Sequence, residues 1–168
     1  MTSSLVCISG GIDSIVLLKR AINCFDSISC LTFHYPSGNM EEDSIIKLLK
    51  GEFDFEWYDV QLINNPSFMT MVGIGLDICH YSNINSLGFG IIKDDLMFDD
   101  INLFRGSESF FHQISRIARY ENINNIDIWL PLKDMSKTEV ISELKVKNSS
   151  IHEIRCNYNF SEWKFKEM

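Results

Sequence analysis

A run of six residues near the start of the chain, Ser-Gly-Gly-Ile-Asp-Ser at positions 9–14, is the feature that most constrains the fold. It follows four apolar residues that predict a buried strand over 5–8, and it begins a segment whose apolar spacing predicts a helix over 12–24. Glycines lack a Cβ atom, so their amides can approach an anion closely, and the first amides of a helix have no intrahelical partner. The arrangement therefore predicts a phosphate-binding turn.

The side chains of this turn suit a nucleotide that carries a metal ion. Ser9 and Ser14 supply hydroxyl groups, and the Asp13 carboxylate is the kind of ligand that magnesium prefers. The turn has no Gly-Lys-Ser/Thr ending, so it is not a Walker-type loop. A plain strand-to-helix turn without a ligand is the alternative. The fit of all six positions, directly after the first strand, favours nucleotide binding.

The remainder of the chain alternates between strand and helix patterns. Its apolar spacing predicts further strands over 27–35, 55–61, 87–91 and 126–130, and further helices over 41–50, 68–81, 107–120 and 136–146. Such alternation is typical of an α/β fold with a doubly wound parallel sheet of about five strands and helices on both faces. We expect one domain over residues 1–168, with an irregular tail from about residue 148.

The same patterns give three more local expectations. Apolar residues around most of the helix over 68–81 predict burial on several sides, with Met69 and Met71 in the core. Ser136 and Glu139 have the spacing of a capping box at a helix start. Because the carboxyl ends of parallel strands meet at one edge, the turns at 9–14, 33–39, 94–100 and 133–137 should converge there.

Charge and cysteine usage argue against several classes of protein. The formal net charge of −8 and the pI near 4.9 leave no excess of cations for a broad nucleic-acid surface. The five cysteines are scattered and form no C-x-x-C pair, which favours reduced thiols and makes a zinc cluster unexpected. We find neither a signal-peptide pattern nor an apolar run of membrane-spanning length. A cytoplasmic protein that does not enter the membrane is therefore expected.

The 9–14 turn resembles the SGGxDS pyrophosphate loop (PP-loop) of the N-type ATP pyrophosphatases. That resemblance implies the Rossmann-like HUP fold of adenine nucleotide alpha hydrolases, with ATP and Mg²⁺ as cofactors and AMP transfer to a carbonyl or carboxyl group as the activity. It places the phosphates on Ser9, Gly10, Gly11 and Ser14 and magnesium on Asp13. Adenine would lie near Phe33 and Tyr35, and Lys137 would be the cation for the leaving pyrophosphate.

Later segments are similar to one branch of that superfamily, the 7-cyano-7-deazaguanine synthases. Pro131-Leu132, Ser136-Lys137 and Glu139-Val140 match the branch's P-L-x-x-x-S-K-x-E-I/V segment. Residues 90–100 resemble its G-x-x-x-x-D-Y-x-x-Y-x-D stretch, which makes Asp95 and Asp100 candidate substrate contacts. The resemblance implies a C–N ligase of queuosine biosynthesis that acts on a 7-carboxy-7-deazaguanine-like acid with ammonia. It also implies a homodimer or a pathway complex.

The chain departs from that branch, and alternatives stay open. Cys156 stands alone where the synthases have a C-x-x-C-x-x-C zinc cluster, so zinc is not expected. A non-catalytic nucleotide-binding subunit of a complex is the main alternative function, and a sulfur transferase or amidotransferase of the same superfamily is another. Among single residues, Lys137 could be an exposed helix residue and Asp95 part of a solvated acidic loop. For His34, a position in a turn is the favoured interpretation.

Overall fold

The computed structural model describes residues 1–38, 40–96, 108–121, 123 and 126–145. In these ranges the strands are β1 (Ser3–Cys7), β2 (Ser27–His34), β3 (Glu56–Gln61), β4 (Ser86–Gly88) and β5 (Asp127–Trp129). The helices are α1 (Ile12–Cys24), α2 (Met40–Glu52), α3 (Phe68–Tyr81), α4 (Lys93–Leu96), α5 (Glu108–Tyr120) and α6 (Lys137–Lys145). The tail predicted from about residue 148 lies outside the described residues, so its irregular form stays a prediction.

The strands form one five-stranded parallel sheet in the order β3-β2-β1-β4-β5. β1 is central, with Leu5 in register with Ser29 of β2 on one side and with Leu87 of β4 on the other. The chain winds outward in opposite directions on the two sides of β1, which creates a crevice at the carboxyl end of this strand. The predicted α/β fold with a parallel sheet is confirmed.

Two apolar clusters cover the two faces of the sheet. Successive residues of a strand point to opposite faces, so Val6 packs into a cluster with residues of α1, α2 and α6, whereas Leu5 packs with residues of α3 and α5. The first cluster includes Leu17 and Leu132, both fully buried. The sheet is therefore doubly wound, as predicted, and α1 and α6 are neighbours on one face.

The amino edge of the sheet, opposite the crevice, is joined by polar contacts. The backbone N–H of Thr2 donates to Oδ2 of Asp26 at 2.7 Å, which ties the start of β1 to the start of β2. The Ser3 hydroxyl donates to Oδ1 of Asn85 at 2.9 Å, which ties β1 to the residue before β4. These bonds hold the three central strands together at the edge away from the crevice.

Side chains cap the starts of α3 and α6. Ser67 caps α3, its hydroxyl accepting from the N–H of Thr70 at 3.1 Å. Ser136 and Glu139 form the predicted capping box, with the N–H of Ser136 donating to Oε2 of Glu139 at 2.7 Å and the N–H of Glu139 donating weakly to the Ser136 hydroxyl at 3.4 Å. These caps satisfy amides that have no intrahelical partner.

Two local predictions were wrong. α3 buries one face, through Val72, Gly75, Leu76 and Cys79, and Met69 is half exposed because only one side of this helix meets the sheet. β4 ends at Gly88, three residues earlier than predicted. The segment after β4, where a solvated acidic loop was one of two open interpretations of Asp95, contains the short helix α4, and the Asp95 carboxylate accepts from the N–H of Ile92 at 3.0 Å. No helix in the described part of the chain combines the length and the apolarity needed to cross a membrane.

Candidate nucleotide site

The turn between β1 and α1 presents backbone amides at the crevice. Gly10 has φ 89°, a left-handed conformation that glycine adopts without a steric penalty. Gly11 is the N-cap of α1 in an extended conformation, and since it has no side chain it provides no side-chain cap. The first amides of α1 therefore remain available to an anion, at the positive end of the helix dipole.

The hydroxyl groups of the two serines form hydrogen bonds with the backbone of the turn itself. The hydroxyl of Ser14 donates to the carbonyl oxygen of Gly11 at 2.8 Å, and the hydroxyl of Ser9 accepts from the N–H of Gly11 at 3.2 Å. The two hydroxyl oxygens lie 3.5 Å apart. The predicted phosphate ligands Ser9, Gly10, Gly11 and Ser14 are thus adjacent, although the Gly11 amide is already paired with Ser9.

Asp13 and Lys137, the two predicted catalytic residues, form an ion pair across the crevice. The Nζ atom of Lys137 lies 2.8 Å from Oδ1 and 2.7 Å from Oδ2 of Asp13, although the residues are 124 positions apart. Burial raises the pKa of Asp13, and the hydrogen bond and charge of Lys137 oppose that rise. Both oxygens of Asp13 are occupied by the lysine, so magnesium at Asp13 stays a prediction that requires the pair to open.

Two residues of α4, Lys93 and Asp94, form hydrogen bonds with the start of α6 and with the loop before it. Oδ2 of Asp94 accepts from the N–H of Lys137 at 2.8 Å, and the N–H of Lys93 donates to the carbonyl oxygen of Met135 at 2.9 Å. Asp94 therefore supplies a cap for α6 from a distant segment. Asp95 turns back onto its own helix, and its substrate role stays a prediction. Asp100, the other predicted substrate contact, lies outside the described residues.

Arg20 is a site-supporting residue that sequence reasoning did not identify. Its guanidinium donates to both carboxylate oxygens of Glu143, at 2.8 and 2.6 Å, and to the carbonyl oxygen of Pro131 at 2.7 Å. One side chain of α1 therefore contacts α6 and the loop that precedes it. No motif marks Arg20, since its importance comes from the packing of two helices that are distant in sequence.

Gly90 allows the β4–α4 segment to lie directly against the start of α1. A Cβ atom at this position would be 3.0 Å from the backbone carbon and oxygen of Asp13 and 3.2 Å from the backbone nitrogen of Ser14. Cβ atoms in proteins are rarely found so close to backbone atoms, and moving the packed backbone of α1 would cost free energy. The absence of a side chain at residue 90 thus sets the width of the crevice beside Asp13.

Two cavities of about 200 Å³ each open at the crevice. The loop cavity is lined by Gly11, Asp13, Ser14, Gly90 and Ile91, and the strand cavity by the predicted adenine contacts Phe33 and Tyr35, with Asp43, Ile46 and Met71 among others. Both are also lined by Cys7, Ser9, Phe68 and Phe89. A ligand can therefore extend from the helix start into an apolar compartment.

Two further side chains near the cavities, those of His34 and Cys7, could contribute an imidazole and a thiol to the site. His34 ends β2 instead of lying in a turn, and its Nε2 atom is 3.0 Å from Oδ1 of Asp59, so the interpretation as a turn residue was wrong. Burial raises the pKa of the Cys7 thiol far above its ordinary value, so this thiol stays protonated. Among the described residues, no group of three His, Cys, Asp or Glu side chains is placed to hold a metal ion.

Comparison with known proteins bears on the fold. No family model matches the sequence, and no curated protein matches it. A solved structure of the U34-tRNA thiolase NcsA from Methanococcus maripaludis with its [4Fe-4S] cluster is similar, with a TM-score of 0.54 and 17% identity over 95% of this chain and 68% of the thiolase. A 4-thiouridine synthetase–RNA complex with bound ATP is also similar, with a TM-score of 0.57 and 16% identity over 91% of this chain. This chain spans 40% of that synthetase. The chain therefore shares its α/β fold with these two proteins.

Proposed function

We propose that this protein binds ATP with magnesium at the crevice and transfers AMP to a carboxylate, releasing pyrophosphate. The observation that carries the proposal is the position of the Asp13–Lys137 pair. The pair lies beside the uncapped amides of α1, and Asp13 lines a cavity that shares a wall with an apolar compartment. Anion donors, a cation and a nucleoside-sized space are the components that adenylyl transfer needs.

In this proposal, each group of residues contacts a different part of the nucleotide. The amides of Gly10 and the first turn of α1, with the hydroxyls of Ser9 and Ser14, would hold the phosphates. Phe33 and Tyr35 would enclose the base. Magnesium would neutralise phosphate charge at Asp13, and Lys137 would then be released to neutralise the leaving pyrophosphate. An acceptor carboxylate oxygen forms a bond to the α-phosphorus, and the bond from that phosphorus to the bridging oxygen of pyrophosphate breaks.

For the acceptor, we propose a 7-carboxy-7-deazaguanine-like acid, with ammonia as the second nucleophile. Support comes from the segments that resemble the deazaguanine synthases. Residue 137 of the P-L-x-x-x-S-K segment contacts Asp13, and residue 90 at the start of the other segment packs on the backbone of Asp13. Two structural neighbours are named with RNA, but the net charge of −8 on this chain offers no broad basic surface and argues against an RNA acceptor.

The test measures ATP binding and pyrophosphate release on the purified protein. Calorimetry should show magnesium-dependent ATP binding, and Asp13→Ala should lose it while the circular dichroism spectrum is unchanged. Pyrophosphate should form with a 7-carboxy-7-deazaguanine and not without an acid. Asp77→Ala, an exposed position on α3, is the matched control and should behave as the wild type.

Each failure of this test has a distinct meaning. ATP binding with no pyrophosphate from any acid would contradict catalysis and favour a non-catalytic nucleotide-binding subunit. Pyrophosphate release with other acids only would contradict the deazaguanine acceptor. Failure to bind any adenine nucleotide would contradict the whole proposal.

A further inference from the structure

The strand cavity has a single charged wall residue. Most of its lining is apolar, and among the described residues that line it Asp43 alone carries a charge. Ile46, one helical turn further along α2, lines the same cavity and is buried, so this face of α2 is directed at the cavity. The Asp43 side chain keeps 49% of its exposure. The Asp43 carboxylate therefore supplies a hydrogen-bond acceptor in a compartment of mainly apolar walls.

His34 restrains this carboxylate without lining the cavity. Its Nδ1 atom lies 3.4 Å from Oδ1 of Asp43, and its Nε2 atom lies 3.0 Å from Oδ1 of Asp59. The imidazole thus joins the end of β2 to α2 on one side and to β3 on the other. The contact limits the rotamers of Asp43, and the remaining exposure of the side chain keeps it accessible to a ligand.

The position of Asp43 also indicates which part of a nucleotide reaches it. Asp43 lines the strand cavity, whereas Gly11, Asp13 and Ser14 line only the loop cavity. A carboxylate would repel phosphates, and it attracts N–H and O–H donors. A nucleoside offers two kinds of donor, the 6-amino group of adenine and the ribose hydroxyls. If the donor is the 6-amino group, a 6-oxo purine would place its carbonyl oxygen against the carboxylate and would bind more weakly.

We propose that Asp43 is a specificity-determining residue, whose carboxylate accepts a hydrogen bond from a donor of the ATP nucleoside. The proposal rests on the proposed function, since it takes ATP as the ligand. It adds a selection step that the phosphate turn cannot provide, because every nucleoside triphosphate presents the same phosphates to α1.

Calorimetry with four nucleotides tests this role. ATP, inosine triphosphate, 2′-deoxyATP and 3′-deoxyATP are titrated with magnesium into the wild type, Asp43→Asn and Asp43→Ala. Both variants should bind ATP more weakly, and Asp43→Ala by roughly tenfold or more, as expected on losing a hydrogen bond to a charged group. If the donor is the 6-amino group, the preference for ATP over inosine triphosphate disappears in the variants. If it is a ribose hydroxyl, the penalty for the matching deoxynucleotide disappears instead.

Controls separate the possible failures. Asp77→Asn removes an exposed carboxylate from α3 and should leave all four affinities unchanged. Asp43→Asn keeps the size of the side chain, and its circular dichroism spectrum should match the wild type. If the wild type binds ATP and the Asp43 variants bind all four nucleotides as it does, or bind ATP more tightly, the inference is wrong and the proposed function stands. If the wild type binds no nucleotide, the inference is wrong together with the proposed function.

Discussion

Asp13 combines opposing electrostatic effects in one side chain. Its carboxylate keeps only 27% exposure, and its pKa is raised, first by burial and further by the charges of Asp95 and Asp94, against the lowering effect of Lys137. A carboxylate with a raised pKa is costly to keep ionised in the folded state. Such residues are common at functional sites, where the group is kept for its chemistry although the fold would be more stable without its charge.

Replacing Asp13 with Asn should therefore separate stability from function. The folded state binds the Asp13 proton more tightly than the unfolded state, so the wild type loses stability as pH rises through the raised pKa. We expect Asp13→Asn to melt no lower than the wild type at pH 7, with the difference between them shrinking toward pH 4. Thermal unfolding followed by circular dichroism between pH 4 and 8 measures this. A variant that melts much lower at pH 7 would show that the ion pair stabilises the fold.

Gly90 and Gly73 form a matched pair for a steric prediction. Gly90→Ala would place a Cβ atom 3.0 Å from the backbone of Asp13, whereas a Cβ atom on Gly73 of α3 would meet nothing within 4 Å. We expect Gly90→Ala to cost about 1–3 kcal/mol in the free energy of unfolding and to weaken ATP binding. Gly73→Ala should be neutral or stabilising by up to about 1 kcal/mol, because alanine favours helix. Urea unfolding and calorimetry of both variants check this, and equal effects would contradict the steric account.

At the scale of elements, the site depends on the pairing of α1 with α6. α1 begins at the 9–14 turn and α6 begins at Lys137, so any relative movement of these helices changes the Asp13–Lys137 distance. Arg20 and Glu143 join the two helices further along, with side-chain exposures of 32% and 23%. The bidentate geometry requires a guanidinium, and a lysine could not reproduce it.

Arg20→Lys should loosen α6 and slow the proposed adenylyl transfer more than it weakens the proposed ATP binding. A double-mutant cycle of Arg20→Ala and Glu143→Ala should give a coupling free energy of about 1 kcal/mol, since the pair is only partly screened by solvent. The Arg20 hydrogen bond lowers the pKa of Glu143, so this stability is present above the ordinary glutamate range and is lost as pH falls through the lowered pKa. Arg116→Lys, exposed on α5, is the control. No coupling at pH 7 would contradict the role of the pair.

At the scale of the whole molecule, the sequence predicts those features of the fold that the local spacing of apolar and capping residues determines. The bounds of α1 and α3, the parallel sheet and the capping box at Ser136 follow from spacing and cap chemistry. The meeting of Asp13 and Lys137 followed from the rule that strand ends converge. The Arg20 and Asp94 contacts did not, because they depend on how segments distant in sequence pack. Met69 was misplaced for the same reason, since composition cannot tell which faces of a helix meet a partner.

The polar contacts at the amino edge of the sheet have a practical consequence for any binding assay. Thr2 and Ser3 tie the start of β1 to its neighbours there, while both cavities open at the opposite end of the strand. Met1 is fully exposed at this far edge. A linker to a sensor chip or a fluorescent dye attached through residue 1 would thus leave the mouth of the crevice facing bulk solution, unobstructed by the support.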